Sequence, residues 1–297
     1  MATLQAGDIV QLVGRDRKRQ TFIFRLVAGE KFHTHFGHLA HDALIGLTLG
    51  AEVATHKGHA FFVLEPSTDD LIRDIKRNSQ IIYPKDIGFI LMKMSIRPGR
   101  TVIESGTGSG GLTTVLAQML GPDGHVFSYD VREDMQALAR RNLERVGLQD
   151  RVTFKLRNIE LGYDETDVDA LFLDVPNPWD YTGQARRALK GGGFFGSILP
   201  TANQVSKLLA ALERDGYSFV EVCEVLIRYY KPVPERLRPT DRMVAHTGYL
   251  IFGRAVTLGL PAGETTDEAG ADAALDGGEG FEAPADGDVA GAPDDVI

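Results

Sequence analysis

Val102-Ile103-Glu104-Ser105-Gly106-Thr107-Gly108-Ser109-Gly110-Gly111-Leu112-Thr113 decides how this chain is read. It runs from a short apolar strand ending at Glu104, through a glycine-rich turn, into a helix starting near Leu112. Glycine has no Cβ and tolerates positive φ, so the backbone can turn sharply and approach a ligand closely. The helix N-terminus beyond it leaves unpaired N–H groups directed at whatever occupies the turn. Such a build suits a nucleotide-like cofactor with a polar or anionic group. An ordinary strand–helix turn has the same pattern, so the flanking sequence has to decide between them.

Downstream, residues 101 to about 256 alternate strand and helix. Strand 101–104 and a helix near 112–120 are followed by strand 126–130 and a helix near 132–146 that ends at Gly147. Strands at 152–156 and 168–174 come next. A helix near 180–189 is expected to stop at the Gly191-Gly192-Gly193 turn, before strand 194–199 and helix 201–214. Segments 218–226 and 248–254 could form a terminal antiparallel pair. Strands separated by helices imply a mostly parallel sheet with its ligand at the carboxyl ends of the strands.

Upstream, residues 1–64 read as all-β. Strand candidates are 8–13 and the alternating Thr21-Phe22-Ile23-Phe24-Arg25-Leu26, followed by a hairpin of 52–55 and 60–64 around Lys57-Gly58. Short strands with glycine turns suggest a small barrel or sandwich. The basic turn Arg15-Asp16-Arg17-Lys18-Arg19 either touches phosphate or is simply solvated. His33, His35, His38 and His41 lie close together, but their spacing matches no zinc pattern and no cysteine helps, so no metal is expected. They read as RNA-contacting or plain surface residues, and Leu39 to Gly46 as a loop. Pro66-Ser67-Thr68-Asp69-Asp70 opens a helix capped by Ser67 or Thr68, with Leu71, Ile72 and Ile75 on its apolar face. Pro84 holds Tyr83 extended and can open the next helix, about 86–94.

Composition bounds the function. The chain has 297 residues, no apolar run long enough to span a bilayer, and no basic start followed by an apolar run. Its single cysteine, Cys223, excludes an intrachain disulfide framework and reads as a buried thiol. These features favour the cytoplasm. The net charge of −9 is uneven. After Arg254 there are eleven acids and no base; without them 30 acids face 32 bases, a formal charge of +2. A mildly basic folded part permits a nucleic-acid partner. Residues 258–297, rich in Ala, Gly, Asp and Pro, read as a disordered acidic tail without a catalytic role.

Asp130 ends the second strand after the glycine turn, where a carboxylate can accept hydrogen bonds from both ribose hydroxyls. That fits a dinucleotide or S-adenosylmethionine. Glu104, an acid heading the glycine run, suits a cofactor bearing an ammonium group over one bearing a pyrophosphate. The terminal antiparallel pair points the same way.

With Gln80 to Asp86, Glu104 to Thr113, Ser128 to Arg132, Leu173-Asp174-Val175-Pro176-Asn177-Pro178-Trp179 and His246-Thr247-Gly248-Tyr249-Leu250 in this order, the chain resembles the tRNA adenine N1-methyltransferases that act at position 58 in the T-loop. The set covers most of residues 1–255, and it is more specific than any one motif. The resemblance implies an α/β fold: a small N-terminal β domain at 1–65, a Rossmann-like S-adenosylmethionine-dependent methyltransferase domain at 66–257, then the tail. It implies tRNA as substrate and a homotetramer. Gln80, Glu104, Gly106 and Gly108 join the cofactor set, with Ser109, Gly110, Gly111 and Leu112 lining the methionine part. Asp130 would hold the ribose, Met135 would pack by the adenine, and Asn158 and Ile159 would border it. Many relatives carry aspartate where this chain has Asn158, whose carbonyl can still accept a hydrogen bond. Asp174 would sit beside the sulfonium and the target base, and Tyr83 would form part of the base pocket unless it is core. Trp179 reads as a packing residue. His246 and Thr247 either touch substrate or shape the last hairpin. The bases and aromatics of Arg228 to Pro239 suit RNA backbone contacts or a solvated loop. Two rivals remain: a noncatalytic tRNA-binding subunit, and a methyltransferase of the same fold acting on protein or small molecules.

Overall fold

The computed structural model describes residues 3–16 and 19–257. The alternating N-terminal segments form β1 (Ile9–Gly14), β2 (Thr21–Arg25), β3 (Lys31–Thr34), β4 (Gly37–Ala40), β5 (Glu52–Ala54) and β6 (Ala60–Leu64). β2, β1, β6 and β5 pair in that order as an antiparallel sheet, and β3 pairs with β4. Val10, Leu12, Phe61 and Val63 bury one face of the sheet. The β3–β4 hairpin packs on it, with Phe24 stacked on Phe32 at 4.2 Å between ring centres. The arrangement is an open sheet covered by a hairpin, so the sandwich alternative holds and the barrel does not. The hairpin also corrects the loop expected from Leu39: Leu39 and Ala40 are strand, and His41 to Ala43 make a single 3-10 turn. His41 is buried and its Nδ1 accepts the Val27 N–H at 2.9 Å. Arg17 and Lys18 of the basic turn, and the acidic tail, lie outside the described residues.

The remaining elements are α1 (Thr68–Arg73), α2 (Pro84–Lys93), β7 (Thr101–Ser105), α3 (Gly111–Met119), β8 (His125–Asp130), α4 (Glu133–Val146), β9 (Val152–Leu156), β10 (Val168–Leu173), α5 (Thr182–Ala188), β11 (Leu189–Leu199), α6 (Ala202–Arg214), β12 (Tyr217–Cys223), β13 (Tyr230–Lys231), β14 (Arg238–Pro239) and β15 (Tyr249–Ala255). Ser67 caps α1 through a capping box with Asp70, and Pro84 occupies the first turn of α2 after Tyr83. The main sheet has the order β12-β15-β11-β10-β7-β8-β9. β11 to β9 run parallel, and β15 is antiparallel to both β11 and β12. Neighbouring Val102 and Ile103 are both fully buried, because helices cover both faces of the sheet. The chain leaves β7 toward β8 on one side, while β10 returns on its other side. The carboxyl ends of β7 and β10 therefore flank the point where strand order reverses, the usual ligand crevice of such sheets.

One boundary differs from the sequence reading. The three glycines do not separate α5 from a later strand. β11 begins at Leu189, which pairs with Val168, and pairing resumes at Phe194 opposite Ala170. The intervening residues, including Gly192 at φ 72°, bulge out of the ladder without ending the strand. Cys223 is half-buried at the end of β12. Among the described residues no helix is long and apolar enough to cross a membrane.

Candidate active site

The glycine turn is held from below. Gly106 and Thr107 donate their N–H groups to the Tyr129 carbonyl at 2.8 and 3.3 Å, and Asp174 donates its own to the Ser105 carbonyl at 2.8 Å. Gly106 sits at φ 98°, and a Cβ there would overlap the Asp174 backbone carbonyl. The closeness of β7 and β10 at their carboxyl ends thus requires glycine. Gly110, at φ 82° ahead of α3, brings that helix against α4; a Cβ would lie 3.0 Å from the Ala139 methyl.

Above the turn opens a cleft of about 700 Å³. Of the residues expected from sequence, Gln80, Gly106, Gly108, Asp130, Ile159 and Asp174 line it. Asp130 is buried and fixed: Oδ2 accepts the Gly108 N–H at 3.1 Å and Oδ1 accepts the Arg132 N–H at 2.9 Å. Oδ1 also accepts the Arg132 Nε at 3.4 Å, while Oδ2 keeps a second lone pair for a ligand hydroxyl. Asp174 follows β10 and faces the open cleft. Surrounding protein desolvates its carboxyl and the Asp130 charge adds to that, so it is pushed up to about 6.

Other expected residues stand behind the wall. Glu104 is only 1% exposed and lies beneath the turn, where one carboxyl oxygen accepts the Thr113 and Ser128 hydroxyls at 2.6 Å each. Burial pushes it up to about 8. It does not face the cleft, so the expectation of an acid meeting an ammonium there is not what its position provides. Ser109 is buried; its hydroxyl accepts the Asn78 N–H at 3.2 Å and bonds the Ser79 hydroxyl at 3.0 Å. Gly111 packs against Ile81, and Leu112 and Met135 are core. Asn158 caps the short turn Ile159–Leu161, its Oδ1 accepting the Glu160 N–H at 3.0 Å. It is outside the cleft lining, whereas Ile159 is within it.

Tyr83 is 43% exposed, not core, and lines a neighbouring recess joined to the cleft at Gln80. Beside it Asp86 is fully buried, accepting Lys85 Nζ at 2.8 Å and Thr247 Oγ1 at 2.7 Å. The Lys85 ammonium also donates to Thr247 Oγ1 at 2.5 Å. His246 bonds Glu224 Oε1 at 2.5 Å and the Pro200 carbonyl at 2.9 Å. These two residues thus tie the last strand to α2 and to the cleft edge. Trp179 is half-buried under Lys207, whose Nζ lies 5.1 Å from the ring centre.

Sequence reasoning missed the far wall, built by Val175, Pro176, Pro200 and Gln204. No motif marks Pro200 or Gln204; the β10–β11 register alone brings them opposite Asp174. Ser105 was visible within the turn, but its bond to the Tyr163 hydroxyl at 2.8 Å was not.

A parallel sheet with a glycine turn after its first strand, a carboxylate ending the second, and an antiparallel strand inserted beside one edge strand is the Rossmann-like methyltransferase fold. Residues 60–236 match the family model described as the tRNA methyltransferase complex GCD14 subunit, and residues 3–53 match the TrmI-like N-terminal model. The chain belongs to the TrmI family of tRNA (adenine-58-N1)-methyltransferases. The tRNA (adenine(57)-N(1)/adenine(58)-N(1))-methyltransferase TrmI of Methanocaldococcus jannaschii is 35% identical over 76% of this chain and 88% of its own length. Among solved structures, a SAM-dependent O-methyltransferase from Thermotoga maritima is 45% identical, with a TM-score of 0.77 over 86% of this chain and 95% of that one. The tRNA (m1A58) methyltransferase TrmI of Aquifex aeolicus is 34% identical, with a TM-score of 0.70 over 85% and 98%.

Proposed function

We propose that the protein transfers a methyl group from S-adenosylmethionine to N1 of adenine 58 in the T-loop of tRNA. The observation that carries this reading is the cleft at the strand-order reversal, where Asp130 and Asp174 stand on either side of the Gly106 turn. A glycine cradle with a fixed carboxylate fits an adenosine-bearing cofactor. Asp130 would take the ribose hydroxyls and Ile159 would border the adenine, while Met135, in the core, and Asn158, outside the cleft lining, would act on the adenine end from behind the wall. Gln80, Glu104, Gly106, Gly108 and Ser109 to Leu112 shape the methionine end, several of them through the wall. When bound, S-adenosylmethionine supplies a methyl on a positively charged sulfur, which the N1 lone pair of adenine can take in line.

Adenine N1 carries no proton at neutral pH, so the chain need not supply a strong base. The Asp174 carboxylate accepts a hydrogen bond from the exocyclic amine and stabilises the positive charge that develops on the base. It also orients N1, and positioning contributes much of the acceleration. Tyr83 receives the base after it leaves the tRNA stack. The enzyme is cytoplasmic and works as a homotetramer. In support of assembly, the segment after β12 exposes Leu226, Tyr229, Tyr230, Leu237 and Val244. The division near residue 65 is proposed likewise, since Leu4 to Val63 share a hydrophobic cluster of their own.

Incubation with labelled cofactor and an unmodified tRNA transcript, followed by mapping of the methylated atom, tests the reading. N1 methylation of the T-loop adenine is expected, and its absence overturns the assignment. The same mapping reports position 57. It also separates the O-methyl chemistry ascribed to the Thermotoga neighbour, which would leave a ribose or other hydroxyl methylated.

A further inference from the structure

Asp130 and Asp174 share the cleft with Arg132 and Arg157, but Arg132 is paired with Asp130 and Arg157 with Asp164, so neither cation is left over for a polynucleotide. A nucleotide entering toward Asp130 and Asp174 brings a phosphate on either side, and like charges repel. Compensating charge lies in the adjoining recess of about 270 Å³, lined by Arg73, Arg77, Gln80, Ile81, Tyr83 and Pro84. The acids of the preceding segment are already engaged. Asp69 accepts Arg73 Nε at 2.7 Å, Asp70 closes the capping box with Ser67, and Asp74 accepts Arg145 Nη1 at 2.7 Å. Because Asp69 meets Arg73 at Nε, both terminal nitrogens of that guanidinium have no partner among the described residues. Neither does the exposed Arg77 side chain. A guanidinium with two free parallel N–H groups matches the two oxygens of a phosphodiester. Tyr83 stands on the same rim, so the recess combines phosphate-binding groups with an aromatic face, as recognition of a splayed-out nucleotide requires.

We infer that Arg73 and Arg77 form a subsite for the RNA phosphodiester next to the target nucleotide, holding the backbone at the cleft mouth while the base passes Tyr83. The inference rests on the tRNA reading above. Arg77 touches backbone and not the reacting atoms, so its loss weakens RNA binding without altering chemistry once RNA is bound.

The test uses the full chain and tRNA assembled with single methylphosphonates around the target adenine. Arg77→Ala is expected to raise KM for tRNA about tenfold, the loss of one charge-assisted contact. It should leave kcat and cofactor affinity unchanged and reduce the salt slope of log affinity by about one. One methylphosphonate position should raise KM similarly in the parent enzyme and have no further effect in Arg77→Ala. Arg77→Lys should keep the salt slope and recover only part of the KM. If the parent methylates tRNA and Arg77→Ala matches it in KM and salt slope, the subsite is wrong while the activity stands. If the parent leaves tRNA unmethylated, the functional reading falls first and the subsite with it.

Discussion

At Asp174, desolvation by the surrounding protein and the Asp130 charge act in the same direction, and both favour the protonated acid. A carboxylate that must accept a hydrogen bond works only once ionised. The kcat/KM for cofactor, which reports the free enzyme, should therefore rise with pH through about 6 and level off above it. The positive sulfur of bound cofactor favours the ionised form, so the corresponding rise in kcat should lie lower. Asp174→Ala should cost about 100- to 1,000-fold in kcat and remove the rise, with a much smaller loss of cofactor affinity. A variant with full activity would take Asp174 out of the mechanism. Glu104 has a different consequence. It keeps its proton in the folded chain up to about 8, whereas the ordinary value is 4.5. The folded state holds the extra proton between those limits, so the associated stability is complete below about 4.5 and is lost as pH rises toward 8. Glu104→Gln can still accept the Thr113 and Ser128 hydroxyls. Thermal melts across that range should show a flatter pH dependence for the variant than for the parent.

Among elements, the contact between α2 and the approach to β15 governs where Tyr83 stands. It consists of a buried carboxylate, an ammonium and a hydroxyl from Asp86, Lys85 and Thr247. Removing one partner of such a pair leaves the other charge buried and unmatched. Asp86→Ala should lower stability by about 3–5 kcal/mol in denaturant titrations. A midpoint unchanged from the parent would show that the pair does not hold this junction. The Lys85-Asp86 and His246-Thr247 motifs were legible in the sequence as separate words 161 residues apart. Their meeting was not, because it depends on β15 entering the sheet between β11 and β12. The bulge at Gly191 to Gly193 escaped for a related reason. Three glycines look like a chain break until the Val168–Leu189 pairing shows the strand continuing past them.

For the whole molecule, the exposed apolar residues between β12 and β15 and the proposed assembly belong together. Light scattering should give a mass four times the chain's 32.4 kDa. Replacing Leu237, 69% exposed, by Glu should shift that mass downward; a parent that runs as a single chain would remove the tetramer. The α/β alternation, the antiparallel closing pair and the candidate carboxylates were all readable from residue order, since periodicity and glycine placement are local properties. The local pattern put Glu104, and the family resemblance put Leu112 and Met135, at the ligand, and neither could tell the cleft surface from the wall supporting it.

By itself the sequence determined the strand–turn–helix at 102–113, the position of Asp130 at the end of the next strand and that of Asp174 directly after a later one, because each follows from spacing within one βα unit. Only the tertiary structure decided which of these residues share the cleft. Gly106 meets Asp174 because β7 and β10 are neighbours although 68 residues separate their paired positions, and Glu104 turns inward because Thr113 and Ser128 wait beneath it. Contacts of that kind are set by sheet order and packing, and no local pattern encodes them.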